Sequence, residues 1–124
     1  MSAEEVDAFL TGQREDAAAM FLAYRDVVLG AGDDIDERVH RTEVAWARTR
    51  TFTTAFFLAG RLEIAIDLLR PVEHPCLLQS FATTKKVITS RLSITRLEQL
   101  DDSIAAFVDE AYATVGRGTR TGPS

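Results

Sequence analysis

The sequence predicts an α+β fold: N-terminal helices, a four- to five-stranded antiparallel sheet, and a C-terminal helix packed on one sheet face. Apolar residues recur with a helical period at both ends of the 124-residue chain, and with a period of two between them. The segments with a period of two are joined by connections too short for crossover helices. Antiparallel pairing is therefore predicted.

The N-terminal region reads as two helices. Val6, Phe9 and Leu10 share one helical face, and the same apolar face resumes beyond Gly12. Because glycine weakens a helix interior, Gly12 predicts a break between the helices. The run Gly30-Ala31-Gly32 then predicts the end of the second helix.

Period-two alternation predicts the strands. Ala59-Gly60 is a tight-turn signal between the third and fourth of them. Pro71 ends the fourth strand, and residues 71–84 read as an irregular connection. The five predicted strands span Arg38–Arg41, Val44–Arg48, Phe52–Leu58, Leu62–Leu68 and Val87–Ile94.

The last helix is predicted from one continuous apolar stripe that runs from Leu97 to Val115. Gly116 closes it. We expect one domain over residues 1–116 and a flexible tail over 117–124, because the tail has too little apolar content to fold.

The two sheet faces have different compositions. Extrapolated alternation places Trp46, Phe52, Phe56 and Leu58 on a core face together with the apolar residues of the fourth strand. The other face is rich in small and apolar residues, which is unusual for a solvated surface. We interpret it as a candidate interaction face or pocket wall, with the loop 72–84 folding back over it as the alternative. Its candidate residues are Ala45, Ala47, Ala55, Phe57, Ala65 and Leu69.

Charge is divided along the chain. Residues 1–37 hold ten acidic residues against two arginines, a net −8, whereas residues 38–96 are net +6 and residues 97–124 are net −3. The simplest interpretation is neutralisation within the fold. The alternative is a polyanion partner, although an acidic chain attracts polyanions weakly at long range. The candidate anion contacts are Arg48, Arg50, Lys85, Lys86 and Arg91.

No set of residues predicts an active site, a metal or a cofactor. His74 and Cys76 are two potential ligands, and two ligands cannot complete a tetrahedral metal site. Glu63 and Asp67 lie on one strand as nuclease carboxylates do, but no lysine follows at a position that would stabilise a phosphate. No apolar run approaches the ~20 residues of a membrane span, and the acidic N-terminus is unlike a signal peptide. We therefore expect a cytoplasmic location.

Two segments and the last helix resemble the bacterial family known as domain of unknown function 5655. The resemblance rests on the strand segments Trp46–Phe52 and Leu62–Ile66, on Leu100-Asp101-Asp102 at the start of the helix, and on Glu110-Ala111-Tyr112 near its end. It covers about Val6 to Val115. It implies an α+β domain without an established activity. It also leads us to expect a histidine in the strand before the last helix, where Ile88–Arg91 has none.

These observations lead to two expectations for function. The first is a small non-enzymatic binding or protein-interaction module that self-associates through the free face or edge of its sheet. The alternative is a nucleic-acid-associated protein that uses the basic segment 38–96. A homodimer or a protein partner is therefore expected, and nucleic acid is the less favoured partner.

Overall fold

The computed structural model describes residues 2–118. Met1 lies outside the described residues. So do residues 119–124, which make up most of the predicted tail. A short 3₁₀ helix at Val115–Arg117 follows the last α-helix. Arg117, the first residue of the predicted tail, therefore belongs to this helix. The main elements are α1 (Ser2–Leu10), α2 (Glu15–Leu29), β1 (Asp36–Val39), β2 (Val44–Ala47), β3 (Thr51–Leu58), β4 (Arg61–Leu68), β5 (Leu77–Ala82), β6 (Ile88–Ile94) and α3 (Asp102–Ala113).

The strands form one antiparallel sheet in the order β1-β2-β3-β4-β6-β5. The predicted α+β architecture is confirmed, but the strand count was too low. The connection over residues 71–84 is not wholly irregular, because β5 lies within it and pairs with β6 at the edge of the sheet. A register irregularity between Leu77 and Gln79 breaks the alternation of β5, which explains why a period of two did not predict it.

A β-bulge sets the orientation of β3. Trp46 pairs with Thr53 and Ala47 pairs with Thr51, so Phe52 is an extra residue on β3. In such a bulge two neighbouring residues oppose one on the partner strand, and here both Phe52 and Thr53 are buried. The prediction that Phe52 belongs to the core is therefore correct.

Beyond the bulge, the predicted faces of β3 are wrong. Ala55 pairs with Ile64 and Phe57 pairs with Leu62, so these side chains share the apolar face of β4. Phe56 instead pairs with Glu63 and lies on the opposite face. Simple alternation from Phe52 missed the extra residue and exchanged the two faces of the strand.

All three helices pack on the apolar face. The Phe57 ring lies 5.3 Å from that of Phe9 on α1 and 6.0 Å from that of Phe21 on α2, measured between centroids. The helix α3 adds Ile104 and Val108 to the same buried cluster. The sheet is therefore covered by helices on one side only in the described part of the chain.

The neighbouring residues Phe57 and Phe56 test this assignment. Phe57→Ala should lower the free energy of unfolding by about 3 kcal/mol, because it removes an aromatic ring packed between helices and sheet. Phe56→Ala should cost only about 1 kcal/mol, because its ring lies on the uncovered face. Chemical denaturation of both variants measures the difference. A larger loss for Phe56→Ala would contradict the observed phase of β3.

Candidate functional site

The uncovered face of the sheet is called the open face here. Antiparallel pairing places directly opposed residues on the same face, which defines its membership. In the described chain it includes Asp36, Arg38, Ala45, Ala47, Thr51, Thr54, Phe56, Leu58, Arg61, Glu63, Ala65, Asp67, Gln79, Phe81, Thr89, Arg91 and Ser93.

A buried carboxylate lies at the centre of the open face. Glu63 is 1% exposed although no helix covers it. Arg61 Nη2 donates to Glu63 Oε2 at 3.0 Å, and Arg91 Nη2 donates to Glu63 Oε1. The Arg91 guanidinium also lies 5.7 Å from the centroid of the Phe56 ring. The two arginines therefore shield Glu63 from solvent, and the carboxylate offsets part of their charge.

A second polar group lies on the same face of β4, at Asp67, four residues beyond Glu63. Thr89 Oγ1 donates to Asp67 Oδ1 at 2.7 Å, and the Thr83 hydroxyl contacts that of Thr89. Burial raises the pKa of Asp67, while the bond from Thr89 and the charge of Arg50 oppose that rise. Because the folded pKa is raised, ionisation of Asp67 weakens the folded state as the pH rises through the ordinary carboxyl range.

A separate polar cluster joins the loop after α2 to the end of α3. Arg48 Nε donates to Asp34 Oδ2 at 2.9 Å, and the Tyr112 hydroxyl donates to Asp34 Oδ1. The Arg48 guanidinium stacks 4.3 Å from the Tyr112 ring centroid. The bonds from Tyr112 and Arg48 lower the pKa of Asp34, so it stays ionised. A Cβ at Gly32 would overlap the Tyr112 ring, and glycine is therefore required at this close approach.

The structure separates the six predicted interaction residues. Ala45, Ala47 and Ala65 lie on the open face, and the first two are buried. Ala55 and Phe57 lie on the helix-covered face, where Ala55 is fully buried and Phe57 half-buried, which corrects their predicted placement. Leu69 follows the end of β4 and is 48% exposed.

The predicted anion contacts also fall into separate places. Arg91 is paired with Glu63, and Arg48 is paired with Asp34. Lys85 and Lys86 are exposed in the turn between β5 and β6. Arg50 lies near Asp67 at one end of the open face.

The edge strand β5 is the feature that sequence reasoning missed. All of its residues from Leu78 to Ala82 are exposed, and Leu78 and Phe81 are 51% and 43% exposed. Its sequence contains no charged residue. The available signal was a short uncharged run with three large apolar residues, Leu77, Leu78 and Phe81, bounded by Pro75 and by the Lys85-Lys86 turn.

His74 and the backbone of Cys76 make hydrogen bonds that stabilise the connection between β4 and β5. The backbone N–H of Cys76 donates to His74 Nδ1 at 3.0 Å, so the ring proton lies on Nε2, which is 3.1 Å from Asp101 Oδ2. Both ring nitrogens are thus engaged. Burial raises the pKa of the Cys76 thiol, which disfavours the nucleophilic thiolate. Across residues 2–118, no three His, Cys, Asp or Glu side chains are grouped so as to hold a metal ion.

The profile of the family described as domain of unknown function (DUF5655) matches residues 6–115. The match covers most of the chain, and the chain therefore belongs to this family. No curated protein and no solved structure matches it. None of the described helices is long and apolar enough to cross a bilayer.

Glu63 provides a test of the open face. Glu63→Gln should destabilise the protein by about 3 kcal/mol, because it leaves two arginines without their buried counter-ion. The control is Glu98→Gln, which removes an exposed ion pair with Arg96 and should cost at most ~1 kcal/mol. Urea denaturation measures both. Equal stabilities for the two variants would show that Glu63 does not organise this face.

Proposed function

We propose that this protein is a small non-enzymatic interaction module of the cytoplasm that self-associates through the edge strand β5. The observation that carries the proposal is the exposure of an uncharged edge with Leu78 and Phe81 on its surface. An exposed sheet edge offers unpaired backbone groups to another strand.

The two edge strands, β1 and β5, differ in how well they are protected against pairing with another strand. The edge strand β1 has four residues, three of them charged, and Arg38 pairs with Asp36 along it. Helix α1 also contacts β1. Charge and a covering helix are the usual protection against edge pairing. The strand β5 has six residues and, within residues 2–118, neither protection, which favours it as the site of association.

A second copy of the chain is the occupant that suits this edge. Antiparallel pairing of two β5 strands creates an isologous contact, in which each protomer presents the same surface. The middle of β5 carries Gln79 and Ser80, so no like charges meet across the axis. The apolar Leu78 and Phe81 of each copy would lose solvent exposure in the same contact.

The absence of an enzymatic role is part of the proposal. The acidic groups of the open face are engaged by Arg61, Arg91 and Thr89. His74 uses both ring nitrogens in the connection between β4 and β5. These contacts support a structural role for the groups that would otherwise supply general acid or base chemistry.

The double variant Leu78→Lys/Phe81→Lys should be monomeric where the parent protein is dimeric. Two lysines on each edge would meet those of the partner and would have to lose water on association. Light scattering over a concentration series measures the mass, and circular dichroism checks the fold. A monomeric parent at every concentration would contradict the proposal.

Two further variants locate the contact. Leu22→Lys makes the same change on an exposed residue of α2 and should leave the dimer intact. Ala65→Arg adds a charge to the open face without touching the edge. If Ala65→Arg dissociated the dimer and the β5 double variant did not, the open face would be the contact and the edge assignment would be wrong.

Nucleic-acid binding is a second candidate because of one observation. Phe56 and Phe81 both lie on the open face, where Arg61 and Arg91 also lie, so aromatic rings and cations share a sheet surface. Proteins that bind single strands stack bases on such rings and hold the backbone with such cations. The pairing of both arginines with Glu63 makes this candidate the weaker one.

Salt dependence tests this second candidate. We expect no binding of a single-stranded oligonucleotide even at about 50 mM salt, where counterion release favours association. If binding did occur, Phe56→Ala should weaken it by about 1–3 kcal/mol through loss of stacking. Fluorescence anisotropy with a labelled oligonucleotide measures both. Submicromolar binding that falls steeply with added salt would reverse the order of the two candidates.

A further inference from the structure

A polar pocket of about 360 Å³ opens beside the cluster of Asp34, Arg48 and Tyr112. It lies where the β2–β3 turn meets the 3₁₀ helix that follows α3, and the N–H of Thr49 donates to the carbonyl of Gly116 at 2.7 Å to hold these two segments together. Among residues 2–118 it is lined by Asp34, Arg48, Thr49 and Arg117. It is separate from both β5 and the open face.

The pocket wall carries donors with spare capacity. Arg48 uses Nε for Asp34 and Nη1 for the carbonyl of Tyr112, and Nη2 has no hydrogen-bond partner within residues 2–118. The guanidinium of Arg117 has no ion-pair partner among the same residues. Two guanidinium groups and the Thr49 hydroxyl are suited to the oxygens of a tetrahedral oxyanion.

The carboxylate of Asp34 limits which oxyanion fits. Its two oxygens accept from Tyr112 and Arg48, and a carboxylate oxygen has room to accept one more hydrogen bond. An oxyanion that carries a proton can donate to Asp34, whereas a fully deprotonated one would meet it only as a like charge. Asp34 remains an acceptor because the bonds from Tyr112 and Arg48 hold its pKa low.

We infer that this pocket binds inorganic phosphate, with Arg48, Arg117 and Thr49 as donors and Asp34 as the acceptor of the phosphate P–OH. Inorganic phosphate keeps at least one P–OH throughout the neutral range. A phosphomonoester loses its last proton at about pH 6, and sulfate has none to donate at neutral pH. The pocket should therefore prefer phosphate to both. This inference stands independently of self-association.

The experiment is an NMR titration of the full chain at constant ionic strength and about pH 7.5, with phosphate, sulfate and glycerol 3-phosphate as separate probes. The amides of Thr49 and Arg117 should shift in a saturable way with phosphate, with at least about tenfold weaker binding of sulfate. Equal binding of sulfate and phosphate, or no saturation, would overturn the inference. Tighter binding of glycerol 3-phosphate would show that the site takes an ester, and that inorganic phosphate is the wrong assignment.

Variants separate the roles of the pocket residues. Arg117→Gln should weaken phosphate binding by about tenfold, since it removes one charge-assisted donor. Asp34→Asn keeps an acceptor oxygen and adds a donor, and it should abolish the preference for phosphate over sulfate. Arg41→Gln removes an exposed arginine from the turn between β1 and β2 and should leave binding unchanged. An equal loss for Arg41→Gln and Arg117→Gln would show general charge attraction and would contradict the site.

Discussion

The bulge between β2 and β3 is the constraint on which the rest of the structure depends. It allows Phe52 and Thr53 to face the helices together opposite Trp46, and it shifts every later residue of β3 to the other face. Phe57 joins the aromatic contacts of α1 and α2 as a result. Phe56 is left on the open face, where the Arg91 guanidinium lies near it.

A buried hydrogen-bond chain anchors the bulge. The Thr53 hydroxyl donates to the carbonyl of Ala65 at 2.7 Å, so it accepts from the Tyr24 hydroxyl, which lies 2.6 Å away. Burial raises the pKa of Tyr24, and the phenol remains a donor. Because Tyr24 lies on α2 and Ala65 on β4, this chain connects a helix with two strands. It also meets the requirement that buried polar groups be hydrogen-bonded.

Elements with a strong local signal could be predicted from sequence. The helical period predicted the N-terminal helices, and Gly12 lies in the break between α1 and α2. Ala59-Gly60 gave a two-residue hairpin, and both residues have positive φ, as the tight turn between two twisted strands requires. The alternation of β4 from Leu62 to Leu68 was correct throughout, because no bulge interrupts it.

The remaining features depend on contacts that local patterns do not encode. The bulge on β3 and the irregularity on β5 each break a period of two, so the faces of β3 were exchanged and β5 was not predicted. The bond between Tyr112 and Asp34 joins residues 78 positions apart, and no local spacing indicates it. Glu63 was considered as a nuclease carboxylate, but its burial between two arginines depends on the register of β4 and β6.

The central functional claim is that the edge of β5 pairs with a second copy of itself. Amide hydrogen exchange, followed residue by residue at increasing protein concentration, tests it most directly. Edge pairing predicts that amides of Leu78–Ala82 directed away from β6 exchange freely at low concentration and gain protection as dimers form. Amides in the center of β4 are already paired and should not change. Exchange at the β5 edge that stays fast at every concentration would contradict the account.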